Sequence, residues 1–127
     1  MMSSHRKFIN LAHNIAKKNF GKTFPNPTVG CIISKNNKII SKGVTSATGR
    51  PHAEEIALKK AGIKAKGATM YVTLEPCAHQ GHTGPCVEAL ISAGVGRVVG
   101  ALKDPNPSVS GQGYDRLKAA GIAVTQG

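Results

Sequence analysis

One imidazole and two thiols stand at His52, Cys77 and Cys86, and a carboxylate, Glu54, follows the imidazole by two residues. Nitrogen and sulfur donors in this number make a three-ligand set for Zn2+, with the fourth position left to water. A carboxylate beside that water can take up and return protons during hydrolysis. The chemistry these residue types suggest is metal-assisted hydrolysis, with Glu54 as the proton carrier.

Plainer readings compete for the same residues. The cysteines could pair as a disulfide, and His52 could cap a helix or lie on the surface. The chain has three cysteines, no apolar signal segment and no run long enough to span a bilayer. That pattern fits a reducing cytoplasmic location, where Cys/His sets more often bind metal than pair with each other. A closed structural zinc site is the stronger competitor, with His79, His82 or Cys31 as nominees for a fourth ligand. Such a site has no use for Glu54 beside the ligand His, nor for Pro76 and Pro85 placed directly before the two cysteines.

Two elements must bring this set together. His52 and Glu54 are two residues apart, which in a helix interior puts side chains on different faces. They converge only if a helix starts there and the site is viewed end-on. His52–Ala61 has helical composition and is followed by Gly62. Cys86–Ala93 also reads as a helix, opened by Cys86 after Pro85 and ended by Gly94. Two helix N-termini then point at one metal, and their partial positive charge favours thiolates and an anionic fourth ligand. Two thiolates and a neutral imidazole cancel the metal's charge, so a carboxylate that removes the water proton gains importance. Glu55 is expected on the solvated helix surface. Glu75 is expected to brace its loop, and Cys31 to be a small buried hydrophobe in a strand.

The remaining elements follow from periodicity and breakers. Residues 5–19 carry a helical apolar stripe through Phe8, Ile9, Leu11, Ala12, Ile15 and Ala16. A loop, GKTFPNP, precedes a strand over Val29–Ser34. Asn36-Asn37 turns the chain into a second strand, Lys38–Val44. Strands are expected over Ala68–Leu74, Arg97–Leu102 and Ile122–Thr125, with a helix over Tyr114–Ala120. Helix, hairpin and then alternating strands and helices predict an α/β fold. It is a three-layer α/β/α sandwich around a mixed central sheet whose later strands are parallel. The 127 residues suffice for one domain, residues 1–127.

Lys and Arg total 17 against 6 Asp and Glu, a formal charge of +11. The lysines are scattered, which also suits an ordinary solvated surface. With three Phe, two Tyr and no Trp, the chain lacks the aromatics of a base-stacking nucleic-acid binder. The charge therefore tilts toward a small anionic partner such as a phosphorylated metabolite.

His-x-Glu followed by Pro-Cys and a second Cys is the pattern of zinc-dependent base deaminases, in which the Glu is acid/base and not a ligand. Within that superfamily the chain resembles the deaminase domain of riboflavin biosynthesis, which acts on a diaminohydroxy-phosphoribosylamino-pyrimidine. The resemblance runs through Pro25-Asn26-Pro27-Thr28-Val29-Gly30-Cys31, Gly49-Arg50-Pro51-His52-Ala53-Glu54 and Tyr71-Val72-Thr73-Leu74-Glu75-Pro76-Cys77. It continues through Cys77 to Cys86, Asp104-Pro105-Asn106-Pro107 and Ala120-Gly121-Ile122. Eight residues separate Cys77 from Cys86, whereas cytidine, guanine and tRNA-adenosine deaminases typically keep about two.

The resemblance implies a cytidine-deaminase-like fold, zinc on His52, Cys77 and Cys86, and proton transfer by Glu54. It also places Asn26, Thr45, His79, His82, Asp104 and Asn106 at substrate-contacting positions. The family usually has His at the place of Thr45, Lys or Arg at His82, and Pro at Gly84. Many members carry a second, NADPH-dependent reductase domain, so a reductase domain or a separate reductase is an implied partner. A homo-oligomer is also allowed. Two alternatives stay open: a deaminase of another base, nucleoside or tRNA adenosine, and a noncatalytic zinc-stabilised binding module.

Overall fold

The computed structural model describes residues 2–18, 29–44, 53–73, 86–100 and 112–126. The elements are α1 (Met2–Lys18), β1 (Gly30–Lys35), β2 (Lys38–Val44), α2 (Ala53–Ala61), β3 (Thr69–Val72), α3 (Cys86–Ala93), β4 (Arg97–Gly100), α4 (Gln112–Ala119) and β5 (Ala123–Gln126). The strands form one sheet in the order β2-β1-β3-β4-β5. β1 is antiparallel to both β2 and β3, while β3, β4 and β5 run parallel. The mixed sheet and its parallel later half are as expected from the order of elements.

Local chemistry explains three of the described junctions. Asn36 and Asn37 both have positive φ, 53° and 65°, and they form a two-residue hairpin loop between paired Lys35 and Lys38. That backbone matches the twist of the flanking strands, and Asn tolerates it. A one-residue irregularity after Ile33 leaves Ile40 extra in β2. α3 and α4 end alike. The Val95 amide donates to Leu90 O and the Gly94 amide to Ile91 O; the Ile122 amide donates to Leu117 O and the Gly121 amide to Lys118 O. These are paired C-terminal caps, and the apolar residues at their ends, Leu90, Val95, Leu117 and Ile122, are all buried.

Alternation along the strands sends side chains to two separate cores. Phe8 and Ala12 of α1 cover Ile32, Tyr71 and Val99 on one face. α2, α3 and α4 cover Cys31, Ile33, Met70, Val72 and Val98 on the other. Among the described residues the layers are thus unequal, with one helix against three. On the α1 face, His5 Nδ1 lies 2.6 Å from the Tyr71 hydroxyl. Burial, with Arg97 nearby, holds the His5 pKa below its ordinary value.

Several boundaries differ from expectation, including the starts of α1 and β5 and both ends of β1. Gly62 ends α2, but a 3-10 turn, Gly62–Ala65, follows at once and buries Ala65. β3 stops at Val72, and α4 begins at Gln112, before Tyr114. Gly121 lies at φ +88° with nothing within 4 Å of where a Cβ would sit. Gly121→Ala should therefore cost backbone strain alone, about 1–2 kcal/mol in urea denaturation. Gly121→Asn should cost less, since Asn tolerates this conformation.

Candidate active site

One row of paired residues crosses the sheet near the end of β3: Gly43, Cys31, Val72, Gly100 and Gln126. This is the edge where β3 and β4 finish and where β1 begins. Beyond the row, the Gly30 amide donates to the Thr73 hydroxyl at 3.1 Å, and the Thr73 amide donates back to Gly30 O at 3.1 Å. In an α/β fold the loops leaving such strand ends carry ligands, and the helices that follow present their N-termini there.

α2 starts over this row at Ala53. Its stripe of Ala53, Ala57 and Ala61 is buried against the sheet, and Glu54 is buried beside it, only 4 % exposed. A carboxylate in the first turn of a helix is favoured by the helix dipole. Burial of that charge needs compensation, and among the described residues no fully buried side-chain nitrogen or oxygen lacks a partner. Glu54 acts electrostatically on Cys31, which is fully buried on β1. Burial first, and then the charge of Glu54, push the Cys31 thiol well above its usual range. Cys31 packs as a small hydrophobe, as its place in the strand suggested.

α3 opens at Cys86 and packs against α2. The sequence expectation that Glu54 and Cys86 each lie in the opening turn of a helix therefore holds. Glu55 differs from expectation: it is half-buried and not fully solvated. His52, the residue before α2, lies outside the described residues, as do Cys77 and the expected substrate contacts Asn26, Thr45, His79, His82, Asp104 and Asn106. The donor chemistry fits zinc: one imidazole and two thiols, with Cys86 at a helix start whose dipole stabilises thiolate.

Two residues at this edge were missed by the sequence reading, Ser41 and Gly43 of β2. The Ser41 hydroxyl donates to Ala57 O of α2 at 2.8 Å, and Gly43 lies directly under the same helix. A glycine inside a strand is itself the available signal, because it often marks a close backbone approach. A cavity of about 480 Å³ lined by Leu11, Ile15, Ile32, Lys17, Lys18 and Lys42 lies on the α1 face, away from Glu54.

Because Cys31 is sealed in the core with its thiol held protonated, it should resist alkylation. Mass spectrometry of iodoacetamide-treated native protein at neutral pH should find Cys31 unmodified, and denatured protein fully modified. Rapid native labelling of Cys31 would contradict this packing.

Comparison with known proteins shows the family and the fold. The model for the cytidine and deoxycytidylate deaminase zinc-binding region matches residues 2–102. Riboflavin biosynthesis protein RibD of Aquifex aeolicus is 52% identical over 122 residues, covering 96% of this chain and 34% of that protein. RibD of Escherichia coli is 54% identical over 116 residues, covering 91% of this chain and 32% of that one. The solved structure of Acinetobacter baumannii RibD superposes with a TM-score of 0.96 at 49% identity, over 100% of this chain and 36% of that chain. The chain thus spans about a third of the length of these relatives. On the family match and the shared fold, this chain belongs to the cytidine and deoxycytidylate deaminase zinc-binding family.

Proposed function

We propose that residues 1–127 form a zinc-dependent aminopyrimidine deaminase domain of riboflavin biosynthesis. Its reaction is hydrolysis of the 2-amino group of 2,5-diamino-6-(5-phosphoribosylamino)pyrimidin-4(3H)-one. Water supplies the oxygen of the new 2-oxo group, and the amine leaves as ammonia. The observation that carries this reading is Glu54, a carboxylate buried in the first turn of α2 at the sheet edge where the Cys86 helix also begins. The relatives named for riboflavin biosynthesis, about half identical across nearly the whole chain, support the choice of substrate.

His52, Cys77 and Cys86 would hold the zinc. Bound zinc supplies Lewis acidity and lowers the pKa of water in its open position. Glu54 then does the proton work. Its carboxylate accepts a proton from the attacking water, delivers it to a ring nitrogen, and assists protonation of the departing amine. The low exposure of Glu54 keeps bulk water from competing for that proton. The dipole of the opening turn of α2 favours a negative charge at this position.

Asn26, Thr45, His79, His82, Asp104 and Asn106 are the proposed substrate contacts, by the match of their motifs. The +11 charge suits a phosphorylated pyrimidine. Thr45 and His82 are weaker phosphate or ribose partners than the family's usual cation-bearing residues. A reductase acting on the product, joined to the domain or separate, is the natural partner, and the cytoplasm is the proposed location. Among the described residues no helix is long and apolar enough to cross a membrane.

The test is ammonia release from the phosphoribosylated diaminopyrimidine by zinc-loaded protein. Glu54→Gln should keep zinc and fold yet lose at least about two orders of magnitude in turnover. Cytidine and tRNA adenosine should remain essentially unreacted. Near-native turnover by the Gln variant would remove Glu54 from the proton path, and robust tRNA deamination would overturn the substrate.

A further inference from the structure

We infer that Ser41 and Gly43 of β2 are positioning residues for this chemistry, a seat that sets where α2 begins and so where Glu54 and the preceding His52 are held. The inference rests on the deaminase reading above. Ser41 and Gly43 are two apart in a strand and so face the same side. Each meets α2 on its backbone and not on a side chain. The Ser41 hydroxyl donates to Ala57 O at 2.8 Å in a buried contact. A Cβ on Gly43 would lie 2.2 Å from Ala53 O, 2.9 Å from Ala57 N and 3.2 Å from Ala53 C.

These contacts leave no flexible group to yield. The nearest atoms belong to helix backbone, and the helix face itself is already reduced to Ala53, Ala57 and Ala61. Any side chain at position 43 must push the opening turn of α2 away from the sheet. Ala53 is the link between His52 and Glu54, so one displacement moves both the candidate ligand and the candidate proton carrier. Ser41 complements this by fixing the helix one turn later. Its hydrogen bond resists sliding and rotation of α2 over β2, motions that close packing on small residues alone permits.

Gly100, the other glycine of the row, differs in kind. Its nearest contacts are the hydroxyl and ring atoms of Tyr114, a side chain of α4. Tyr114 is itself buried, but a side chain can turn where a helix backbone cannot. Gly43 is therefore the row position at which an added methyl most directly displaces the backbone that carries Glu54.

The experiment compares Gly43→Ala, Ser41→Ala and Phe8→Leu with the unsubstituted 127-residue chain. Phe8 belongs to the core beneath α1, on the opposite sheet face. Melting temperature, zinc dissociation constant by competition with a chromogenic chelator, and kcat and KM for ammonia release are read for each. Gly43→Ala should weaken zinc binding by about 10–100-fold, the scale for loss of ligand-orienting contacts. It should lower kcat by about 100-fold, the scale of an ångström's misplacement, with a smaller change in KM. Ser41→Ala should shift both in the same direction by less. Phe8→Leu should lower the melting temperature and leave the zinc dissociation constant and kcat near those of the unsubstituted chain.

Unchanged zinc affinity and kcat in Gly43→Ala and Ser41→Ala would overturn the inference. So would losses in Phe8→Leu that scale with melting temperature in the same way. Should Gly43→Ala fail to fold, Ser41→Ala decides by the same readouts. Failure of the unsubstituted zinc-loaded chain to release ammonia would refute the deaminase reading, while the zinc dissociation constants would still test the seat.

Discussion

The approach of α2 onto β2 is the contact from which the rest of the site takes its position. A helix normally rides on a sheet at a distance set by side chains. Here alanines on the helix and a glycine in the strand bring backbone against backbone, with the Ser41 hydroxyl bonded into the helix. The result is a helix start held over the end of the sheet with little room to shift. α3 packs against α2 and starts with Cys86, and α4 locks onto the next strand end through Tyr114 over Gly100. Three helices thereby open toward one edge, and among the described elements α1 alone closes the opposite face.

This arrangement meets an electrostatic requirement. A carboxylate that is only 4 % exposed is costly to bury unless hydrogen bonds or favourable fields offset the loss of water. The opening turn of α2 supplies one such field. The cost is consistent with a functional role, because an apolar residue at this place would pack without it. The wider charge distribution is lopsided as well. α1 carries Arg6, Lys7, Lys17 and Lys18 and no acid. The acids of the described helices, Glu54, Glu55, Glu88 and Asp115, belong to α2, α3 and α4. Of these, Glu88 is tied to Arg116 by an exposed ion pair at 3.0 Å, which adds little to stability. Glu54 is set apart from the other carboxylates by burial.

Much of this was legible from residue types and spacing, and the reasons differ by element. Asn36-Asn37, Gly62 and Gly94 announced their turns because each position needs a left-handed backbone. The placement of Glu54 and Cys86 in opening turns followed from the two-residue spacing to His52 and from Pro85 before the second helix. The order of strands in the sheet and the lone position of α1 were not legible, because pairing depends on tertiary contacts that no local pattern encodes. The 3-10 turn after Gly62 was missed for a similar reason: it exists because Ala65 is buried beneath it. Glu55 was expected in solvent, yet it is half-buried, since helical spacing alone does not reveal how far neighbouring elements extend. The role of Ser41 and Gly43 appeared only once the helix lay across the strand.

The proposed site has Glu54 beside the open position of a zinc held by three protein ligands. A crystal structure of the zinc-loaded chain, with the metal located by anomalous scattering at the zinc edge, tests it most directly. One zinc per chain is expected, bound by His52, Cys77 and Cys86, with Zn–S of about 2.3 Å and Zn–N of about 2.0–2.1 Å. A water should fill the fourth position within hydrogen-bonding reach of the Glu54 carboxylate. A fourth protein ligand from His79, His82 or Cys31, or a Glu54 side chain turned away from the metal, would contradict it.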